Sequence, residues 1–140
     1  MNPNDIISLI ASIRAKANQF IVAEMNRRNI KQLATSHGDI LSALFQHEPL
    51  SMKDLAKRID RDKSTVTTLI DKLIEIGYVR TQKDINDSRV VLVFLTEKGK
   101  QLQSDFEEIS TKLLAAVYQE IEAEEQQQLM NTLIKIKNNL

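Results

Sequence analysis

The sequence has no cysteine and no tryptophan, only three glycines and two prolines, and aromatics make up 4% of its 140 residues. Without cysteine there is no disulfide framework, thiol nucleophile, thiol redox sensor or cysteine-ligated zinc. So few glycines leave little material for a loop that cradles phosphates, and none of the nucleotide-loop, zincin or nucleophile-elbow motifs occurs. No enzyme class is suggested, and no cofactor. No unbroken apolar run approaches the roughly 18 residues that span a membrane. The N-terminus also lacks a basic start and small-residue cleavage site. The expectation is one cytoplasmic domain without membrane association.

Charge is balanced, with 19 basic and 19 acidic residues, so indiscriminate nucleic-acid binding is not indicated. Its distribution is uneven: residues 51–100 carry a net +3, residues 101–140 a net −4 and residues 1–50 a net +1. A mildly basic centre beside an acidic C-terminal arm fits a localised phosphate footprint.

Asn2 and Pro3 have the form of a helix start, with Asn as N-cap and Pro at the first helical position. Residues 2–28 then carry apolar side chains over a broad arc, which predicts a helix covered by its own domain and by a partner. Ser36-x-x-Asp39 resembles a capping box opening a helix to about His47, ended by Pro49. Ser51-x-x-Asp54 opens the next, over 51–59. After the turn Asp60-Arg61-Asp62, a helix is predicted over 63–76, with Asp62 as N-cap and Gly77 as left-handed C-cap. On a wheel of about 100° per residue, Val66, Leu69, Ile70 and Leu73 share one side. Ser64, Thr65, Thr67, Thr68, Asp71, Lys72 and Glu75 share the other. Threonine is an indifferent helix former, so helix stability does not explain three on one face. Their hydroxyls can bond phosphates or base edges, and their methyls can pack on thymine.

Residues 78–83 and 90–95 read as strands around a charged turn, Asp84 to Arg89: a β-hairpin, or wing. Thr96 caps a helix of roughly twenty residues from Glu97, and a last helix runs from about Ala123 to Asn138. The fold class is mainly α with a small β-wing (α+β): a winged helix-turn-helix flanked by N- and C-terminal helices.

Asp87-Ser88-Arg89 followed by Leu95-Thr96-Glu97-Lys98-Gly99, together with Asp62–Thr67 and Gly77-Tyr78-Val79, resembles the MarR family of bacterial transcriptional regulators across essentially the whole chain. The resemblance implies a homodimer in which residues 1–30 and 97–140 interleave and residues 36–96 form the DNA-binding winged helix. By the same resemblance Arg89 reaches the minor groove or its phosphates, and Asp87 supports the wing. Ser64, Thr65, Thr67, Thr68 and Lys72 lie in the major groove, and Ser51 and Lys53 meet backbone phosphates. The function it implies is a ligand-responsive repressor on a pseudo-palindromic operator in double-stranded DNA.

Plainer readings stand beside these. The Thr-rich face could be an ordinary solvated surface, and Asp87–Arg89 a surface ion pair of little worth. His37 and His47, ten residues apart, are a poor metal site. Ile13, Phe20, Phe45 and Leu113 form a candidate effector pocket but equally read as core. Asp71 and Glu75 on the recognition face, with zero net charge, favour the alternative of a winged-helix protein-interaction module without DNA binding.

Overall fold

The computed structural model describes all 140 residues. Asn2 opens the first helix: its Oδ1 accepts from the Asn4 N–H (2.8 Å), and its own N–H donates to Asp5 (2.9 Å). A 3-10 turn, Pro3–Asp5, leads into α1, Ile6–Arg27. There follow α2 (Thr35–Gln46), β1 (Leu50–Ser51), α3 (Met52–Ile59), α4 (Lys63–Ile76), β2 (Val79–Lys83), β3 (Val91–Leu95), α5 (Glu97–Lys100), α6 (Gln103–Val117) and α7 (Ala123–Asn139).

The core forms where helical and strand periodicities turn apolar side chains to one place, and their removal from water drives the packing. Ile40, Leu41 and Leu44 of α2 meet Leu55 of α3, Val66, Ile70 and Leu73 of α4, and Val79, Val93 and Leu95 of the strands. Met25, Phe106 and Ile109 join from α1 and α6. This cluster holds α3 and α4 in a helix-turn-helix and seats the wing beside them.

Several expectations need correction. The sheet has three antiparallel strands in the order β1-β3-β2, not two, because Leu50 and Ser51 pair with Val93 and Leu92. Two residues are too short to show a strand period. α2 begins two residues earlier than expected, with Ala34 rather than Ser36 at the N-cap. Alanine has no side-chain acceptor, so the reciprocal bond alone remains: the Ala34 N–H donates to His37 Nδ1 at 2.8 Å. The single helix expected from Glu97 is broken at Gln101–Leu102 into α5 and α6. Its first turn is tied elsewhere: Thr96 Oγ1 donates to the Gly77 carbonyl (2.6 Å) and Lys98 Nζ to the Ile76 carbonyl (2.8 Å).

Within the chain α1 is covered on one side only. Glu24 and Met25 are its only buried residues, while Ile6, Ile7, Leu9, Ile10, Ile13 and Val22 are exposed. α7 buries nothing, and its Leu129, Met130 and Ile134 are also exposed. By length and composition the helix over Pro3–Arg27 is apolar enough to cross a membrane, with a mean hydropathy of 1.3 over 18 residues. Arg14, Lys16, Asn18 and Gln19 interrupt it, so its apolar character is an average over the window and not an unbroken run. The same composition suits a helix buried on both faces by other helices.

The C-terminal end of α1 is tied to α6 by charge. Buried Glu24 accepts from Arg27 (2.8 Å) and Lys112 (3.5 Å), and Arg28 bridges to Asp105 (3.1 Å) and to Glu108.

Candidate nucleic-acid interface

α4 starts at Asp62, whose carboxylate accepts the Thr65 N–H (2.7 Å) and the Ser64 hydroxyl (2.9 Å). The backbone bond from Thr65, then the side-chain bonds from Thr65 and Ser64, hold that carboxyl below the usual carboxylate range. Gly77 ends the helix at φ +98°, a conformation that suits glycine because it has no Cβ. Val66, Ile70 and Leu73 are buried, which turns Ser64, Thr67, Thr68, Asp71 and Glu75 to solvent. Thr65 and Lys72, expected on that face, are half-buried at its edge.

The hydroxyls of the face are engaged within the helix. Thr67 Oγ1 donates to the Lys63 carbonyl (3.0 Å), Thr68 Oγ1 to the Ser64 carbonyl (3.1 Å), and Ser64 Oγ to Asp62. Ser51 Oγ caps α3 by accepting the Asp54 N–H (3.0 Å), and Lys53 beside it is exposed.

Residues not singled out from the sequence adjoin this face. Ile74 is 42% exposed on α4. Lys57, Arg58, Arg61 and Lys63 are exposed around the turn between α3 and α4. Their signal was present as a dense basic run, diluted by Asp60 and Asp62.

The wing is the β2–β3 hairpin, paired from Val79↔Leu95 to Lys83↔Val91. At its tip the Asp87 carboxylate accepts from Arg89 Nε (3.0 Å), from the Arg89 terminal nitrogen (3.1 Å) and from the Arg89 backbone N–H (3.0 Å). Those bonds push Asp87 below the usual carboxylate range and Arg89 above its own. The Arg89 side chain is 88% exposed, so the fork is fixed in direction while open to solvent. At the wing base, the Arg80 guanidinium stacks 4.2 Å from the Phe94 ring centroid. The bonds from Thr96 and Lys98 to the carbonyls of Gly77 and Ile76 fasten that base to the end of α4.

The four residues expected around an effector differ in their exposure. Phe45 packs on Phe106 with ring centroids 5.9 Å apart, Phe20 and Leu113 are half-buried, and Ile13 is exposed. A cleft of about 420 Å³ lies nearby, between α1, α2 and α3, lined by Arg14, Asp39, Ser42, Ala43, Gln46, Arg58 and Ile59. Burial there pushes Asp39 above the usual carboxylate range, against the pull of Arg14 at 3.6 Å. No cluster of three or more His, Asp or Glu residues is placed to hold a metal ion.

The protein-family model of the MarR family matches residues 33–91, the segment that carries the helix-turn-helix and most of the wing. The HTH-type transcriptional regulator SarZ of Staphylococcus aureus is 36% identical over 74 residues, covering 53% of this chain and 50% of SarZ. Matches to other curated relatives span from 33% to 76% of their lengths. The transcriptional regulator BldR of Sulfolobus solfataricus superposes with a TM-score of 0.79 at 28% identity, covering all of both chains. A mutant MarR from E. coli, solved in complex with operator DNA, has a TM-score of 0.82 and covers 97% of this chain and 99% of its own. At 20% identity that last likeness shows the fold alone. The matched family model, the curated relatives and BldR are all transcriptional regulators, and residues 33–91 of this chain are similar to the MarR family.

Proposed function

We propose that this protein is a homodimeric, sequence-specific DNA-binding transcriptional regulator, acting as a repressor on a pseudo-palindromic operator and responsive to a small ligand. The observation that carries the DNA-binding reading is the pairing of two elements. α4 presents a polar face free of the core, and the wing beside it carries an exposed, bidentately braced Arg89. A recognition helix of that kind fits the major groove, and a wing guanidinium fits the adjacent minor groove or its phosphates. Ser51, Lys53 and the exposed Lys57, Arg58, Arg61 and Lys63 add donors for backbone phosphates.

The uncovered apolar faces of α1 and α7, with exposed Leu114 and Val117 of α6, support a dimer through the terminal helices. The cleft between α1, α2 and α3 lies where that assembly joins the winged helix, so a ligand there would change the separation of the two recognition helices. Titration of the duplex flanking its own coding region, at several salt concentrations, tests the reading. Affinity that falls steeply with salt supports it. Salt-insensitive or absent binding favours the alternative, a protein-interaction module, which Asp71 and Glu75 on the same face would suit.

A further inference from the structure

The reading face of α4 has no arginine, and its three exposed hydroxyls have already spent their protons. Ser64 donates to Asp62, Thr67 to the Lys63 carbonyl and Thr68 to the Ser64 carbonyl. Each hydroxyl carries one proton, so what these residues still offer is acceptor lone pairs and, from the two threonines, a methyl group. With Oγ1 turned to the helix's own backbone, the methyl is the part of each threonine left for an outside partner. The rest of the face adds carboxylates of Asp71 and Glu75 and the apolar end of Ile74. The middle of the outward face thus has methyls and acceptors, while its cations stand at the margins, exposed Lys63 in the first turn and half-buried Lys72 at the edge.

The major groove answers such a surface in one way. Its only apolar group is the thymine 5-methyl, and its only donors are the amino groups of adenine and cytosine. A·T is the one pair that combines a methyl with a donor, whereas the edge of guanine presents acceptors alone.

Resting on the DNA-binding reading above, we propose that Thr67 and Thr68 set sequence specificity by packing their methyl groups against thymine methyls, so that each half-site is read as A·T pairs at the positions beneath them. Their hydroxyls hold the rotamer and do not read bases.

The test uses the full chain and duplexes that it enriches from a random-sequence pool. These are resynthesised with deoxyuridine replacing each thymidine in turn, which removes the 5-methyl and leaves the hydrogen-bonding edge intact. Binding is measured at one fixed salt concentration. At one or two positions per half-site the replacement should weaken binding about fourfold per methyl, the factor expected for one methyl-sized apolar group. Thr67→Val and Thr68→Val, which keep a methyl and lose the hydroxyl at similar helix propensity, should bind within about twofold of the parent and keep the thymidine preference. Thr67→Ser and Thr68→Ser should lose about fourfold and become indifferent to deoxyuridine. Indifference of the parent to deoxyuridine at every position overturns the proposal, as does full binding by the serine variants with loss in the valine variants. If nothing is enriched, the DNA-binding reading falls and takes this inference with it. Enrichment of duplexes without a methyl effect overturns this inference alone.

Discussion

Arg89 and Gly99 belong to one sequence signature but act through different physics. Arg89 is held by two guanidinium bonds to Asp87 and remains 88% exposed, so it adds little to folding and is available to DNA. Arg89→Ala should lose most DNA affinity in a fluorescence-anisotropy titration, leave the oligomeric state and thermal unfolding unchanged, and lower the salt slope by about one counterion. Arg89→Lys should not restore full affinity, because an ammonium cannot donate the paired parallel bonds that the guanidinium gives to Asp87. Gly99 is a packing requirement. A Cβ built there would lie 2.1 Å from the Tyr78 carbonyl oxygen, backbone that a side-chain rotation cannot relieve. Gly99→Ala should cost about 3 kcal/mol in urea unfolding, at the upper end of overpacking, and should loosen the wing base against α4.

At the scale of elements, the starts of α2, α3 and α4 are each set by one side-chain acceptor. α3 and α4 use the side chains of Ser51 and Asp62. α2 instead depends on His37 Nδ1 accepting the Ala34 N–H, which requires an unprotonated nitrogen. Burial pushes the imidazole below its ordinary value of 6.5. A group whose folded pKa is lowered contributes stability that is present above the unfolded pKa, and loses it as pH falls through the folded pKa. His37 therefore stabilises the fold above about pH 6.5, and urea midpoints should decline below that pH. His37→Gln, which keeps an acceptor at the same helical position, should flatten this part of the profile when the two proteins are compared. The break between α5 and α6 follows from the same competition for partners. The turn at Thr96–Gly99 is bonded to the end of α4, and α6 then sets its own direction through Phe106 and Ile109 in the core.

For the whole molecule, the exposed apolar faces of α1, α6 and α7 are the main unpaired feature of the single chain. Light scattering should give twice the 16.0 kDa chain mass. Ile134→Glu, at a position 51% exposed on α7, should shift the protein toward monomer while leaving its helix content by circular dichroism largely intact. The monomer should bind DNA much more weakly, since two half-sites are then no longer engaged together. Zero net charge means that any salt dependence must come from local groups, chiefly Lys57, Arg58, Arg61, Lys63 and Arg89, rather than from a general attraction to polyanions.

Local chemistry was readable directly from the chain. Asn2, Ser51, Asp62, Thr96 and Gly77 are caps because their side chains, or the lack of one, satisfy or permit a backbone conformation within a few residues. The apolar period of α4 follows in the same way, as do the strands of the wing and the Asp87–Arg89 fork. Contacts between distant segments decided the rest. β1 exists because β3 offered it an edge, and the helix after Thr96 breaks because its first turn is bonded to α4. Thr65 and Lys72 leave the exposed face because neighbouring elements cover that edge of α4, which a wheel drawn from one helix cannot show. The threonine protons are committed to backbone carbonyls, a choice among rotamers that residue type does not make. Periodicity and capping are properties of adjacent residues; coverage, edge pairing and the direction of a side chain depend on what the fold brings alongside.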